Sequence, residues 1–172
     1  FNILEKCVTF TPRYCRLSRV VRDISSDDIM AGNKKSNFRQ MVERSLRDKN
    51  IKISEIRSRE IKDEKVSFSE LSLNVYPYET SNSTEYFLEY VTKEDKLVGF
   101  LRLSLPLKRS FVEEIADSAV IREVHVYGEV VGIGKEERGV AQHIGIGSEL
   151  IKKAEEIAKE QYFGKISVIS SI

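Results

Sequence analysis

Gly145 and Gly147 stand one residue apart in Gln142-His143-Ile144-Gly145-Ile146-Gly147, directly before the run Ser148 to Glu155. At a helix start the first backbone N–H groups lack intrahelical partners and the macrodipole is positive, so a loop without bulky side chains there can receive phosphate oxygens. Many helices also open on Gly-x-Gly without binding anything, so the motif alone fits either role. Two nearby side chains carry proton-transfer chemistry. His125, with Glu123 two residues before it, has an imidazole that titrates near neutrality and suits a general base. In an alternating strand the same residues also fit a hydrogen-bonded structural role. His143, beside the glycines, is suited to orienting the loop or touching its ligand rather than to moving protons.

The elements around these residues follow from periodicity. Ile146, Leu150, Ile151, Ala154, Ile157 and Ala158 recur at three and four, which predicts a helix with one buried face. Ser148 is its candidate cap, and Glu149 falls in its first turn. Before the loop, Val120, Val124, Val126 and Tyr127 mark a strand within 119–128; after the helix, Lys165 to Ser170 is a second β-branched strand. Strand, glycine loop, helix and strand form an α/β crossover.

The pattern Gln-x-x-Gly-x-Gly between a strand and a helix resembles the pyrophosphate-binding signature of the GNAT acetyltransferases, which hold acetyl-CoA. Arg122-Glu123-Val124-His125-Val126-Tyr127-Gly128, Gln142-His143 and Gly164-Lys165-Ile166-Ser167-Val168-Ile169-Ser170 further resemble the C-terminal half of the Elongator catalytic-subunit family, whose members modify tRNA wobble uridines. The segments 12–24, 31–40 and 55–61 extend this resemblance to the other end of the chain. The resemblance implies an α/β (α+β) GNAT-like acetyltransferase fold with a mixed, largely antiparallel sheet, preceded by a basic helical linker.

By the same resemblance, the strand backbone at Glu123, Val124, His125 and Val126 pairs with pantetheine. Ala141, Gln142, His143, Ile144, Gly145, Ile146 and Gly147 hold the pyrophosphate, and His125 and Glu123 are the candidate catalytic residues. Arg13, Arg16, Arg19, Arg22, Lys34 and Lys35 face tRNA. Ile144 departs from the Arg, Lys, Gln or Gly of many such loops, which predicts weakened rather than abolished binding. The charged loop 132–139 corresponds to one that lies over the cofactor. Ser54 and Ser58 occupy a region where the family often has metal-holding cysteines, so no metal ligand set is assigned. S-adenosylmethionine and a 4Fe-4S cluster are expected only in a radical-SAM part before Phe1. The family also continues past Ile172, so the chain is expected to be truncated at its C-terminus.

The 172 residues are 41% hydrophobic and 32% charged, ordinary for a globular protein. No apolar run approaches the ~20 residues of a membrane span and no signal peptide is evident, so the expectation is a cytoplasmic protein without a membrane partner. The net charge of +1 conceals an asymmetry. Residues 1–65 hold 16 Lys and Arg against 10 Asp and Glu, while 66–172 hold 12 against 17. The basic part suits an anionic polymer. Arg13, Arg16, Arg19 and Arg22 recur every third residue; they form one stripe only if the segment turns helically, and a solvated charged face is the alternative. Cys7 and Cys15, with two distant histidines, are too few and wrongly spaced for a metal site within the chain.

The expected organisation is a basic linker at 1–65, with a helix at 37–49 capped by Ser36 and a short strand or connector at 54–61, followed by a GNAT-like domain at 66–172. A strand at 66–78 and a hairpin of 86–91 with 97–103 around the polar turn 92–96 precede the crossover. The function expected is tRNA wobble-uridine modification to 5-carboxymethyluridine with acetyl-CoA as acetyl donor, by an acyltransferase acting as a homodimer or in an Elongator-type assembly. A stand-alone GNAT enzyme acetylating a protein lysine or small amine, and a non-catalytic RNA-binding module, are the alternatives.

Overall fold

A computed structural model describes residues 1–18, 20, 25, 27–32, 34, 35, 37–62, 64, 66–127 and 145–169. The chain divides into two compact units, Phe1–Arg59 and Glu60–Ile172.

The first unit is built on α1 (Asn2–Phe10), α2 (Phe38–Asp48) and the single turn α3 (Ile56–Arg59). Val8 of α1 and Val42 and Leu46 of α2 form a small core, with Leu4, Leu17 and Ile53 packed around it. Glu5 tightens the helix pair: its carboxylate accepts from Ser45 Oγ and Lys49 Nζ, both at 2.7 Å. The Lys49 hydrogen bond and then that of Ser45 hold the Glu5 carboxyl below its usual range. Asn37 precedes α2 and makes no side-chain capping bond; Ser36 lies outside the described residues.

The connector expected at 54–61 is helical over Ile56–Arg59 because Glu55 caps it. The fully buried Glu55 accepts the N–H groups of Arg57 at 3.0 Å and Ser58 at 2.8 Å. It also accepts from the Leu17 N–H at 3.1 Å, from Ser58 Oγ and from Arg39 Nη2. Residues 11–18 are not helical, so no helical arginine stripe runs through Arg13 and Arg16. The backbone there is instead a tether: Arg59 Nη2 donates to the Arg13 carbonyl at 3.3 Å, Arg39 Nη1 to that of Leu17, and Arg57 Nη1 to that of Ser18 at 2.8 Å.

The second unit is a five-stranded sheet in the order β1-β2-β3-β4-β5. Its strands are β1 (Ser72–Glu79), β2 (Ser83–Val91), β3 (Leu97–Pro106), β4 (Ala119–Val126) and β5 (Ile166–Val168), with α4 (Ile146–Glu160) between the last two. The first four strands are antiparallel neighbours, and β5 joins β4 in parallel. The sheet is thus mixed and largely antiparallel, as expected. β1 starts later than the apolar alternation suggested, because Phe68–Glu70 forms a 3-10 turn with a Ser67/Glu70 capping box. One sheet face meets α4: Leu88, Val98, Leu101, Leu103 and Ile121 pack with Ile146, Leu150, Ala154, Ile157 and Ala158. Tyr162, just past α4, takes a positive φ of 64° while the Phe163 N–H returns to the Ala158 carbonyl, ending the helix.

Glu55 generates a test of the first unit. Burial pushes its pKa up, but the bonds from Ser58 and Leu17, the Arg39 charge and the Arg57 N–H outweigh this and hold it low. A depressed folded-state value adds stability above the unfolded value of about 4.3, and this is lost as pH falls below it through the folded value. Glu55→Gln removes the buried carboxylate from Arg39, which keeps Glu43, and weakens the charge-assisted bonds to Ser58, Leu17 and Arg57, at an expected cost of ~1–3 kcal/mol near neutrality. Urea melts of both forms from pH 7 to 3 check this; the gap between them should close on acidification.

Candidate active site at the β4–α4 junction

Gly145 holds φ at 71°, a left-handed conformation that strains any residue with a Cβ, and serves as the N-cap of α4. No side-chain capping bond is made there, and the helical ladder begins with the Glu149 N–H on the Gly145 carbonyl at 3.0 Å. The N–H groups of Ile146, Gly147 and Ser148 therefore belong to the first, unladdered turn. Ser148, the candidate cap, is instead the third helical residue.

The helix start is pressed against the end of β4. A Cβ on Gly147 would stand 3.8 Å from Val126 Cγ2. On β3, a Cβ on Gly99 would meet Ile146 Cγ2 at 3.0 Å and the His125 carbonyl oxygen at 3.1 Å, so tightly that these neighbours would have to shift. Gly99 thus admits the buried Ile146 to the sheet and brings the N-terminus of α4 beside His125 and Val126.

The second half of β4 is shaped by a bulge. Among the described residues, β5 pairs with β4 only over Ala119–Ile121, opposite Ile166–Val168. The β3–β4 register shifts between Arg102 and Leu103, leaving Arg122 as the extra residue of a bulge. Beyond it, the Tyr127 N–H bonds to the Val98 carbonyl at 2.8 Å and His125 lies opposite Phe100. By strand alternation, the backbone groups of Val124 and Val126 then point to the side of β4 away from β3.

The bulge reverses the alternation, so Val124 and Val126 pack with the α4 core while Glu123 and His125 lie on the other face. On that face His125 Nε2 is 2.9 Å from Glu123 Oε1, and Arg102 Nε is 2.7 Å from Glu123 Oε2. The Arg102 guanidinium lies 5.6 Å from the Phe87 ring centre and 5.5 Å from that of Phe100, within cation–π range. The Phe100 and His125 rings are 5.3 Å apart, and Tyr127 stacks on His125 at 12°. Tyr78 on β1 hydrogen-bonds Arg102; burial and then the Glu85 charge raise its pKa above the usual phenol value. The buried Glu85 is held by Ser83 Oγ at 2.7 Å and Arg122 Nη1 at 3.2 Å.

The structure therefore brings together Glu123, Val124, His125, Val126, Gly145, Ile146 and Gly147. Ala141, Gln142, His143 and Ile144, and the loop 132–139, lie outside the described residues. Of the basic residues expected to face tRNA, half-buried Arg13 and exposed Arg16, Lys34 and Lys35 belong to the first unit, and Arg19 and Arg22 lie outside the described residues. Arg102, Tyr78 and Gly99 escaped the sequence reading. Arg102 was detectable as the lone charge in the apolar strand Leu97–Pro106, but its partner depended on register.

A mixed sheet with a bulged fourth strand beside an uncapped, glycine-opened helix fits an acyl-CoA-binding transferase, and the chain belongs to the acetyltransferase (GNAT) family, whose model matches residues 52–171. Among individual proteins it is similar to the tRNA uridine(34) acetyltransferase of Methanocaldococcus jannaschii, 36% identical over 98% of this chain and 32% of that protein. Similarity to human Elongator complex protein 3 is 31% identity over 99% of this chain and 32% of that protein. The chain thus spans about a third of the length of these relatives. A solved structure of the archaeal Methanocaldococcus infernus Elp3 with an N-terminal deletion superposes with a TM-score of 0.78 and 33% identity, covering 96% of this chain and 41% of that one. No helix among the described residues is long and apolar enough to cross a membrane.

Gly99→Val is expected to destabilise the second unit by ~1–3 kcal/mol, because the added side chain starts within 3.0 Å of Ile146 Cγ2 and 3.1 Å of the His125 carbonyl oxygen. Urea denaturation should show a lower midpoint with an unchanged slope.

Proposed function

We propose that this chain is the acetyltransferase portion of a tRNA wobble-uridine modifying enzyme that uses acetyl-CoA as acetyl donor to form 5-carboxymethyluridine. The observation that carries the acetyl-CoA half is the junction itself: three helix-start N–H groups without a side-chain cap, beside the bulged second half of β4. These features fit the donor. The phosphates face unladdered N–H groups and the positive end of α4, and the open space above Gly145 leaves room for them. The backbone of Val124 and Val126 is placed to hold an extended pantetheine arm, with Glu123 and His125 on the adjoining face for proton transfer. When bound, acetyl-CoA supplies an activated acyl carbon. Ala141, Gln142, His143 and Ile144 complete the pyrophosphate loop in this reading.

Support for the nucleic-acid half is the likeness to proteins named for tRNA uridine 34, together with the basic bias of residues 1–65. Arg13, Arg16, Arg19, Arg22, Lys34 and Lys35 are assigned to tRNA phosphates. The radical chemistry at uridine, with S-adenosylmethionine and a 4Fe-4S cluster, belongs in this reading to a part of the enzyme outside this chain. The setting is cytoplasmic, as a homodimer or within an Elongator-type assembly.

Acetyl-CoA hydrolysis by the full-length enzyme, measured with and without tRNA, tests both halves together. Stimulation by tRNA is expected, and Gly145→Glu, which sets an anion against the phosphates, should abolish acetyl-CoA binding in calorimetry. Hydrolysis indifferent to tRNA would favour a stand-alone acetyltransferase acting on an amine. The paired change Arg16→Ala with Arg19→Ala should weaken tRNA binding and flatten its salt dependence, with the slope of log K against log salt reduced by about 1 for each phosphate that is no longer neutralised. An unaltered slope would return these arginines to a solvated face.

A further inference from the structure

We propose that the buried Glu55 is a positioning residue for tRNA binding: it fixes the backbone beside Arg16, so that this exposed arginine meets a phosphate from one prearranged place. The functional meaning rests on the assignment of Arg16 to tRNA made above, whereas the geometry stands without it.

Arg16 lies in the stretch 15–18, which is neither helix nor strand. Its two soft backbone dihedrals are set by the planar peptide units before and after it. The unit before it carries the Cys15 carbonyl, which accepts the Ile56 N–H at 2.9 Å. The unit after it carries the Leu17 N–H, which donates to Glu55 Oε2 at 3.1 Å. Both planes around Arg16 are therefore held. Tethers continue on either side: the Leu17 carbonyl accepts from Arg39 Nη1, that of Ser18 from Arg57 Nη1 at 2.8 Å, and that of Arg13 from Arg59 Nη2 at 3.3 Å. A turn closed by the Cys15 N–H on the Pro12 carbonyl at 2.9 Å leads into the stretch.

Glu55 ties this stretch to the rest of the unit. Its Oε2 also accepts the Arg57 N–H at 3.0 Å, and its Oε1 accepts the Ser58 N–H at 2.8 Å, Ser58 Oγ and Arg39 Nη2. The same carboxylate thus holds the first turn of α3 and the chain beside Arg16. Glu43 is the other carboxylate at the cluster, 2.6 Å from Arg39 Nε and 3.2 Å from Ser58 Oγ. Glu55 is fully buried and repels phosphate, so its charge alone opposes tRNA binding. Its favourable effect is preorganisation: a segment ordered beforehand loses less freedom when it binds.

The test uses the full-length protein, tRNA and two substitutions, at a temperature where the variants are folded. Glu55→Gln keeps an acceptor oxygen without the charge, and Glu55→Ala removes both. Charge alone would tighten tRNA binding in each variant. Positioning predicts the reverse: affinity falls in the order unmodified, Glu55→Gln, Glu55→Ala, and hydrogen exchange at the Leu17 amide quickens in the same order. Arg16→Ala should lower the slope of log K against log salt by about 1 in the unmodified protein, and by less when Glu55→Gln is already present. An affinity unchanged or raised in Glu55→Gln, or an Arg16→Ala effect of full size in its presence, would overturn the inference whether or not Glu55→Ala folds. Arg16→Ala without effect on tRNA binding in the unmodified protein, with Leu17 exchange still quickened by Glu55→Gln, would overturn the assignment of Arg16 to tRNA and the positioning role with it.

Discussion

The absence of a side chain at Gly99 is the constraint on which the candidate site depends. The β-carbon it lacks would fall against both the first residue of α4 and the backbone carbonyl of His125. Because that space is open, Ile146 enters the core and fixes the helix axis relative to β3 and β4. The unladdered N–H groups then arrive beside the end of β4. Preorganisation of this kind lets backbone dipoles act without rearrangement.

The Arg122 bulge is the second determinant. Without the extra residue, alternation would carry Glu123 into the α4 core and Val124 to the opposite face. With it, β4 satisfies apolar packing before and after the bulge, and Glu123 and His125 join Arg102 on one surface. Bulges commonly re-aim side chains in this way next to functional sites. The polar row across β1 to β4 is consequently cross-strand in origin: Tyr78, Glu85, Arg102 and Glu123 come from four strands.

The first unit follows a different logic. Its apolar core is small, and one buried carboxylate, Glu55, collects two N–H groups of α3, the Leu17 N–H, the Ser58 hydroxyl and Arg39. Three arginines, Arg39, Arg57 and Arg59, are turned toward backbone carbonyls of Arg13, Leu17 and Ser18. Part of the positive charge that dominates the composition of this region therefore organises the chain itself. Arg16, Lys34 and Lys35 are exposed.

Much of this was legible in the residues alone. The three-four spacing of Ile146, Leu150, Ala154, Ile157 and Ala158 specified α4, the polar turn 92–96 specified the β2–β3 hairpin, and the glycine pair marked the helix start, because periodicity and turn chemistry are local properties. The fold class and the candidate cofactor site came from these elements together with the resemblance of Gln142 to Gly147 and the flanking strands to the GNAT acetyltransferases. The tertiary structure alone decided the capping of α3 by Glu55, the exclusion of an arginine helix from residues 11–18, the bulge at Arg122 and the pairing of Arg102 with Glu123. Each of these depends on groups distant in sequence: which carbonyl an arginine reaches, or which residue stands opposite in a neighbouring strand, is set by register and packing, and a one-residue shift changes the partner.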